Sequence, residues 1–251
     1  MLIPIEDDID IEYEMSRQEH EIRLVEEAEE RYPKLIFKYK SISSSVDFCR
    51  LLNIVRDNKI YLPNVKELND PLEGFQCKML GDCDSKRKEE RNKYRVLALS
   101  EDGFLPTLWS HYADGYTGVC LCFKTDKTFS ELHQVKYVNR SISWSVDPIF
   151  AARDDLEMKS SDWSYEKEWR RISKGDINDS EFLRFGKEEL ICIFLGYKMD
   201  PSVRKELYRN IPSHIKVFTV APNEEKFCLF AKDADGNEVF NSQELIEVLE
   251  T

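Results

Sequence analysis

Apolar and polar positions fall in short blocks along this chain, and the period within each block separates strand from helix. Leu35-Ile36-Phe37-Lys38-Tyr39-Lys40 is rich in branched and aromatic residues and reads as a strand. Ser43-Ser44-Ser45 offers caps for a helix over 46–57, whose buried face would carry Val46, Leu51, Leu52, Ile54 and Val55. Ile60-Tyr61-Leu62 is a short strand stopped by Pro63, and Asn69-Asp70-Pro71 marks a turn. Further strands are predicted over 94–100, 119–123, 135–138, 168–172, 190–196, 216–220 and 227–231. Pro106 suits the first turn of a helix through Tyr112. An irregular loop followed by a helix is expected over 140–160, and helices over 201–210 and 242–249. The last two strands, joined through Pro222-Asn223, make an antiparallel pair. The order is no steady alternation of strand and helix, so the fold class is α+β and not a doubly wound sheet.

Residues 12–32 read as a charged helix with a thin apolar stripe of Ile22, Val25 and Ala28, ended by Pro33. The division expected is an acidic N-terminal arm, 1–32, and one α+β domain, 33–251. The net charge is −12 over 251 residues, and the arm carries most of it. The body is therefore close to neutral, which argues against a broad phosphate-binding surface. Lys86 to Arg95 is the one basic run: a solvated helix with Glu/Lys pairs is the plainer reading, a nucleic-acid contact the sharper one. No run of about 18 apolar residues exists, and no basic-then-apolar leader opens the chain, so neither a membrane span nor a secretory signal is expected. The seven cysteines include Cys120 and Cys122, which would share one strand face. Buried thiols in a reducing cytoplasm fit them best. With no Cys-x-x-Cys and four scattered histidines, no structural zinc site is expected.

The densest chemistry lies in Trp163-Ser164-Tyr165-Glu166-Lys167-Glu168-Trp169-Arg170. On a strand the two glutamates would share one face, with Tyr165, Lys167 and Trp169 on the other. Two adjacent carboxylates repel, so the face is either wet or occupied in function, and a wet face is the plainer reading. A second cluster is Trp109-Ser110-His111-Tyr112-Ala113. Trp109, Tyr112 and Ala113 share a helix face, which reads as core or as a pocket rim against a flat ring or a sugar. A third is Leu68-Asn69-Asp70-Pro71-Leu72-Glu73, which as a turn needs no function but whose Asp70 and Glu73 could hold a ligand hydroxyl or position a loop. No phosphate loop, dinucleotide fingerprint or nucleophile elbow is present.

These motifs in this order, after the Phe37-Lys38-Tyr39 strand and with Gly118-Val119-Cys120-Leu121-Cys122-Phe123 between, resemble the bacterial domain-of-unknown-function family 2971 over about residues 35–232. The layout also resembles ADP-ribosyltransferase-like proteins. That second resemblance implies a split, mainly antiparallel sheet flanked by helices and an enzyme using NAD, in the setting of a toxin or of bacterial or phage defence. It places Lys38 or Tyr39 at the first station, where the family has Arg or His, and Tyr112 and Glu166-x-Glu168 at the later ones. The serine-threonine-serine motif of many toxins is absent. By this resemblance Glu168 stabilises the oxocarbenium-like centre formed as the nicotinamide–ribose bond breaks, and Glu166 orients the acceptor or the sugar. Tyr112 stacks on nicotinamide, His111 bonds a ribose, and Arg170 holds a phosphate or carboxylate, with Trp109, Asn69 and Asp70 in the same binding set. Two other classes stand beside this one. The first is a non-catalytic nucleotide- or partner-binding module with the acidic arm as a protein-docking element. The second is a metal-dependent nucleotide or nucleic-acid hydrolase using Asp70, Glu73 and Glu166.

Overall fold

Strand β1 (Leu35–Lys40) lies in the interior of the nine-stranded principal sheet, its pleat turning Leu35, Phe37 and Tyr39 to one face and Ile36, Lys38 and Lys40 to the other. The computed structural model describes residues 32–70, 83–139, 148–175 and 181–250. The chain divides into two units, Met1–Lys34 and Leu35–Thr251, and the fold described is that of the second. The expected acidic helix over 12–32, Glu73, Cys77 and the loop over 140–147 lie outside the described residues.

On one side of β1, β4 (Val119–Lys124) pairs antiparallel along the whole strand, from Leu35 opposite Lys124 to Lys40 opposite Val119. β10 (Leu190–Gly196) follows antiparallel, β11 (Lys216–Asn223) parallel to it, then β12 (Cys228–Lys232) and β13 (Glu238–Val239), both antiparallel. On the other side β3 (Tyr94–Ser100) and β8 (Glu168–Lys174) pair antiparallel from Tyr94–Lys174 to Ser100–Glu168, with β5 (His133–Gln134) at the edge. The class is α+β with a large, mainly antiparallel sheet, as the element order implied.

The two halves of the sheet join at β1 and β3, where a single residue pair, Phe37–Ser100, is in register. Past it the ladder stops, and the Lys38 ammonium spans the gap to the Ala98 carbonyl at 2.6 Å. A lysine side chain thus takes over where backbone pairing ends, and the sheet has a seam beside β1.

Phe37 and Tyr39 face a core shared with Leu108 and Trp109 of the helix Pro106–Tyr112, with Phe194 and Phe218, and with Leu245 of the helix Ser242–Glu250. The Trp109 indole is fully buried, donates to the Gly103 carbonyl at 2.9 Å and meets the Tyr39 ring edge-on at 5.6 Å. The Ser44 hydroxyl caps the helix Ser45–Asp57 by accepting from the Asp47 amide at 3.1 Å. Its buried residues are Leu51, Ile54 and Val55 as the spacing required, whereas Val46 is exposed. Cys120, Cys122 and Cys192 are buried free thiols, while Cys49 and Cys228 are free and exposed.

Gly196 closes the strand β10 against the loop after the Pro106–Tyr112 helix. A Cβ there would overlap the Tyr116 carbonyl, a fixed backbone atom. Gly196→Ala is therefore expected to cost about 1–3 kcal/mol by overpacking, read as a lowered melting midpoint; an unchanged midpoint would contradict this close approach.

Two small sheets flank the main one. β2 (Lys59–Tyr61) pairs antiparallel with β9 (Phe182–Arg184), and β6 (Lys136–Val138) parallel with β7 (Met158–Ser160). The strand expected over 135–138 is observed as β6, which leaves the principal sheet just after β5. His133–Gln134 stays with β8, then the Val135 amide bonds the Glu168 carbonyl at 2.9 Å and the Lys136 amide turns to the Glu157 carbonyl at 2.7 Å. Among the described residues no helix is long and apolar enough to cross a membrane.

Candidate functional site

The local sequence around the two glutamates builds a turn, not the extended strand that two-residue spacing suggested. The Ser160 hydroxyl caps a 3-10 turn, Ser161–Glu166. Lys167 then takes a left-handed backbone conformation, φ 46°, and Glu168 opens β8. A left-handed lysine is costly for an L-residue. Its neighbours fix it: the Lys167 carbonyl accepts from the Glu101 amide at 3.2 Å and its ammonium reaches Asp102 at 3.2 Å. The Ser100 hydroxyl holds the Glu166 carbonyl at 2.7 Å.

This pivot brings both carboxylates to one point. Glu166 and Glu168 are 5 % and 3 % exposed, so the wet-face reading is overturned. Lys159, at the centre of β7, donates to Glu166 Oε2 and, at 2.8 Å, to Glu168 Oε2. The Arg170 Nε donates to Glu168 Oε1 at 2.7 Å, and its Nη1 to the Leu156 carbonyl at 2.8 Å, at the last residue of the helix Pro148–Leu156. The Tyr112 hydroxyl donates to Glu166 Oε1 at 2.6 Å. The Tyr137 hydroxyl accepts from the Glu168 amide at 2.8 Å. The result is a buried line of alternating charge, Tyr112–Glu166–Lys159–Glu168–Arg170. Such charges persist in a dry site only when each is paired.

The titration behaviour follows from this arrangement. Burial pushes the Glu168 carboxyl up, but Arg170 and Lys159 outweigh it and hold it down at about 2. Burial pulls the Lys159 ammonium down, and Glu168 and Glu166 more than restore it, so its pKa lies above the ordinary lysine value. Burial and then Glu166 raise the Tyr112 phenol. At neutral pH the site holds a fixed carboxylate, a fixed ammonium and a protonated phenol. Lys38 differs: burial first and Lys40 second lower it to about 8.

A cavity of about 180 Å³ opens at the seam of the sheet, walled by Lys38, Tyr39, Asn69, Tyr112, Glu166 and Glu168 among others. It abuts a second cavity of about 370 Å³. Lys38, Tyr39, Pro63, Glu67 and Tyr112 line both.

Of the residues singled out by sequence, Lys38, Tyr39, Asn69, Tyr112, Glu166 and Glu168 come together here. Asn69 Nδ2 reaches the Tyr112 hydroxyl at 3.4 Å. Tyr39 lines the cavity, but its hydroxyl is spent on the Asp102 carbonyl at 2.8 Å. Four others stand elsewhere. Trp109 is a correction: it is core, anchored through its indole nitrogen, and lines neither cavity. Arg170 is a second correction, since its guanidinium is buried against Glu168 and the Leu156 carbonyl and does not face a ligand phosphate. His111 is exposed and lies 3.4 Å from the Tyr165 hydroxyl, outside the cavity walls. Asp70 is buried where the described segment ends, and it lines neither cavity. Among the described residues no three His, Cys, Asp or Glu side chains stand where one ion would join them. Glu73, the third member of the hydrolase set, lies outside the described residues.

Sequence reasoning missed Lys159, Tyr137 and Ser100. The signal for Lys159 was indirect. Two glutamates placed in an aromatic, apolar stretch need a cation beyond Arg170 if they are buried.

Residues 108–171 match the model of a family described as a protein of unknown function, DUF2971. The resemblance drawn from motif order thus holds over that stretch, which contains Tyr112, Lys159, Glu166, Glu168 and Arg170 but not Lys38 or Asn69. No curated protein and no solved structure matches the chain. The ADP-ribosyltransferase-like layout has no counterpart among these findings.

Proposed function

We propose that this chain is an ADP-ribosyltransferase-like enzyme that takes NAD as substrate and opens its nicotinamide–ribose bond. The observation that carries the reading is the gathering of Glu168, Glu166, Tyr112 and Lys38 around one cavity at the seam of the sheet. When the bond from ribose C1′ to the pyridinium nitrogen breaks, its electron pair leaves with nicotinamide, and positive charge develops on the ribose ring. A carboxylate with a pKa near 2 is ionised at any physiological pH and stabilises that charge without a proton in transit. Each Glu168 oxygen has one cationic partner and a spare lone pair, so it can still accept from a ribose hydroxyl. Glu166 and the Tyr112 phenol bound to it would orient the incoming acceptor, which bonds to C1′ as its proton passes to solvent water. The Tyr112 ring supplies a flat wall for the nicotinamide. The buried free thiols suit a cytoplasmic setting, and service in phage defence or as a toxin belongs to the same proposal.

Incubation with NAD labelled on its adenine should give labelled ADP-ribose or a labelled acceptor, and calorimetry should show NAD binding. An absence of both would sink the reading. One observation favours a second reading, a nucleotide-binding module without turnover: all four carboxylate oxygens already have partners, as a purely structural network would. It predicts NAD binding with no product. Under either reading residues 1–32 serve as a docking arm, so their deletion should change partner capture and leave any NAD turnover intact. A change in turnover on deletion would contradict that division of labour.

A further inference from the structure

The second cavity has a different chemistry from the first. Its walls carry four bases, Lys38, Lys40, Arg50 and Lys59, against two acids, Asp47 and Glu67. That excess of positive charge sits in a chain whose net charge is −12. Both acids are already engaged. The Glu67 carboxylate accepts from the Tyr61 hydroxyl at 2.8 Å and from the Asn64 amide at 2.8 Å. Asp47 accepts from the Ser44 hydroxyl at 2.6 Å and stands 3.9 Å from Arg50, an exposed pair of little strength. Burial first, and then the positive charge of Arg50, lower the Lys40 ammonium, with Asp47 opposing them. Tyr61 and Phe182 form the other wall as an edge-to-face pair, ring centres 5.8 Å apart. Arg50 lies 6.0 Å from the Tyr61 ring and Lys59 5.5 Å from the Phe182 ring. Lys38 stands in the walls of both cavities.

We infer that this second cavity holds the phosphate-bearing part of a nucleotide, with Lys40 and Arg50 on the phosphate oxygens and a flat base against Tyr61 and Phe182. The inference deepens the proposed function, on which it rests for continuity with the first cavity. Two cations around a concave wall bind a diphosphate by charge-assisted hydrogen bonds, and Arg50 adds a planar fork matched to phosphate oxygens. The aromatic pair supplies a surface that takes any base by its face. The division of labour is spatial. Glycosidic chemistry belongs to the carboxylate cavity, and anion capture belongs to the basic one.

The test uses the full chain and three probes: ADP, inorganic pyrophosphate and adenosine, each titrated by calorimetry at two salt concentrations. ADP is expected to bind more tightly than adenosine, with the advantage shrinking as salt rises. Arg50→Glu and, separately, Lys40→Gln should each weaken ADP and pyrophosphate by about tenfold, the value of one charge-assisted bond, and leave adenosine alone. Tyr61→Leu should weaken adenosine and ADP and spare pyrophosphate. Arg50 is exposed, so its substitution leaves the fold intact, as a melting curve would verify. ADP binding no tighter than adenosine, or unchanged in Arg50→Glu, would overturn the inference. ADP carries no nicotinamide bond, so its binding is read apart from turnover. NAD turnover without the ADP pattern would refute this site alone, and the ADP pattern without turnover would refute the enzyme reading alone.

Discussion

Glu168→Gln is expected to reduce nicotinamide release from NAD by about 10²–10³-fold, the range found for loss of one preorganised electrostatic group. The substitution keeps the shape of the side chain and its acceptor oxygen but removes the charge. Lys159 would then keep one charged partner, Glu166, Arg170 would face a neutral amide, and so would the developing charge on the ribose. NAD affinity should move far less than the rate, because the lost interaction belongs to the transition state. The measurement is a pair: nicotinamide release by chromatography and the NAD dissociation constant by calorimetry. A variant that loses rate and affinity together would mean that Glu168 holds the fold or the ground state instead. The pH dependence has the sign of a fixed carboxylate. Glu168 is ionised down to about 2, so no loss of rate through its protonation is expected between pH 5 and 8.

Lys159→Met should have the largest effect on stability. In the folded chain Lys159 is the cation common to Glu166 and Glu168. Methionine fills a comparable volume but leaves two buried carboxylates facing each other, with Arg170 on only one of them. Removing one partner of a buried ion pair typically costs about 3–5 kcal/mol. The pH dependence should change as well. In the wild type the folded pKa of Glu168, about 2, lies below its ordinary 4.5. Its contribution to stability is therefore present above about pH 4.5 and lost as pH falls toward 2. In Lys159→Met, like-charge repulsion favours protonation of one carboxylate, so the deficit against wild type should shrink as pH falls. Urea melts of both proteins at pH 7 and pH 4 would check this. An equal deficit at both pH values would show that Lys159 acts by packing and not by charge.

The strand and helix pattern was legible because the long elements carry strong signals: β4 and β10 are nearly pure apolar runs, β1 is rich in branched and aromatic residues, and Ser44 and Pro106 mark helix starts by cap chemistry. The elements that were missed are the short ones. β7, β9 and β13 are two or three residues long, too short for a period to register, and tertiary pairing defines them. The candidate site was half legible for a related reason. Glu166 and Glu168 stood out by composition, but strand alternation was the wrong geometry. The left-handed Lys167 aims both at one cation, and lysine is a residue type that gives no warning of positive φ. Lys159 went unnoticed because β7 is a three-residue strand defined by its parallel pairing with β6, a contact the local sequence does not encode. Trp109 was read as a site residue from its neighbours His111 and Tyr112. On the helix it points into the core while Tyr112 faces the cavity.

The central claim is that the seam cavity breaks the nicotinamide–ribose bond, and the amount of nicotinamide released per chain, read beside the amount of NAD bound, tests it most directly. Saturable NAD binding and more than one nicotinamide released per chain are expected of the wild type, with release suppressed in Glu168→Gln. Saturable NAD binding with no nicotinamide released by either protein would contradict it and leave a binding module in its place.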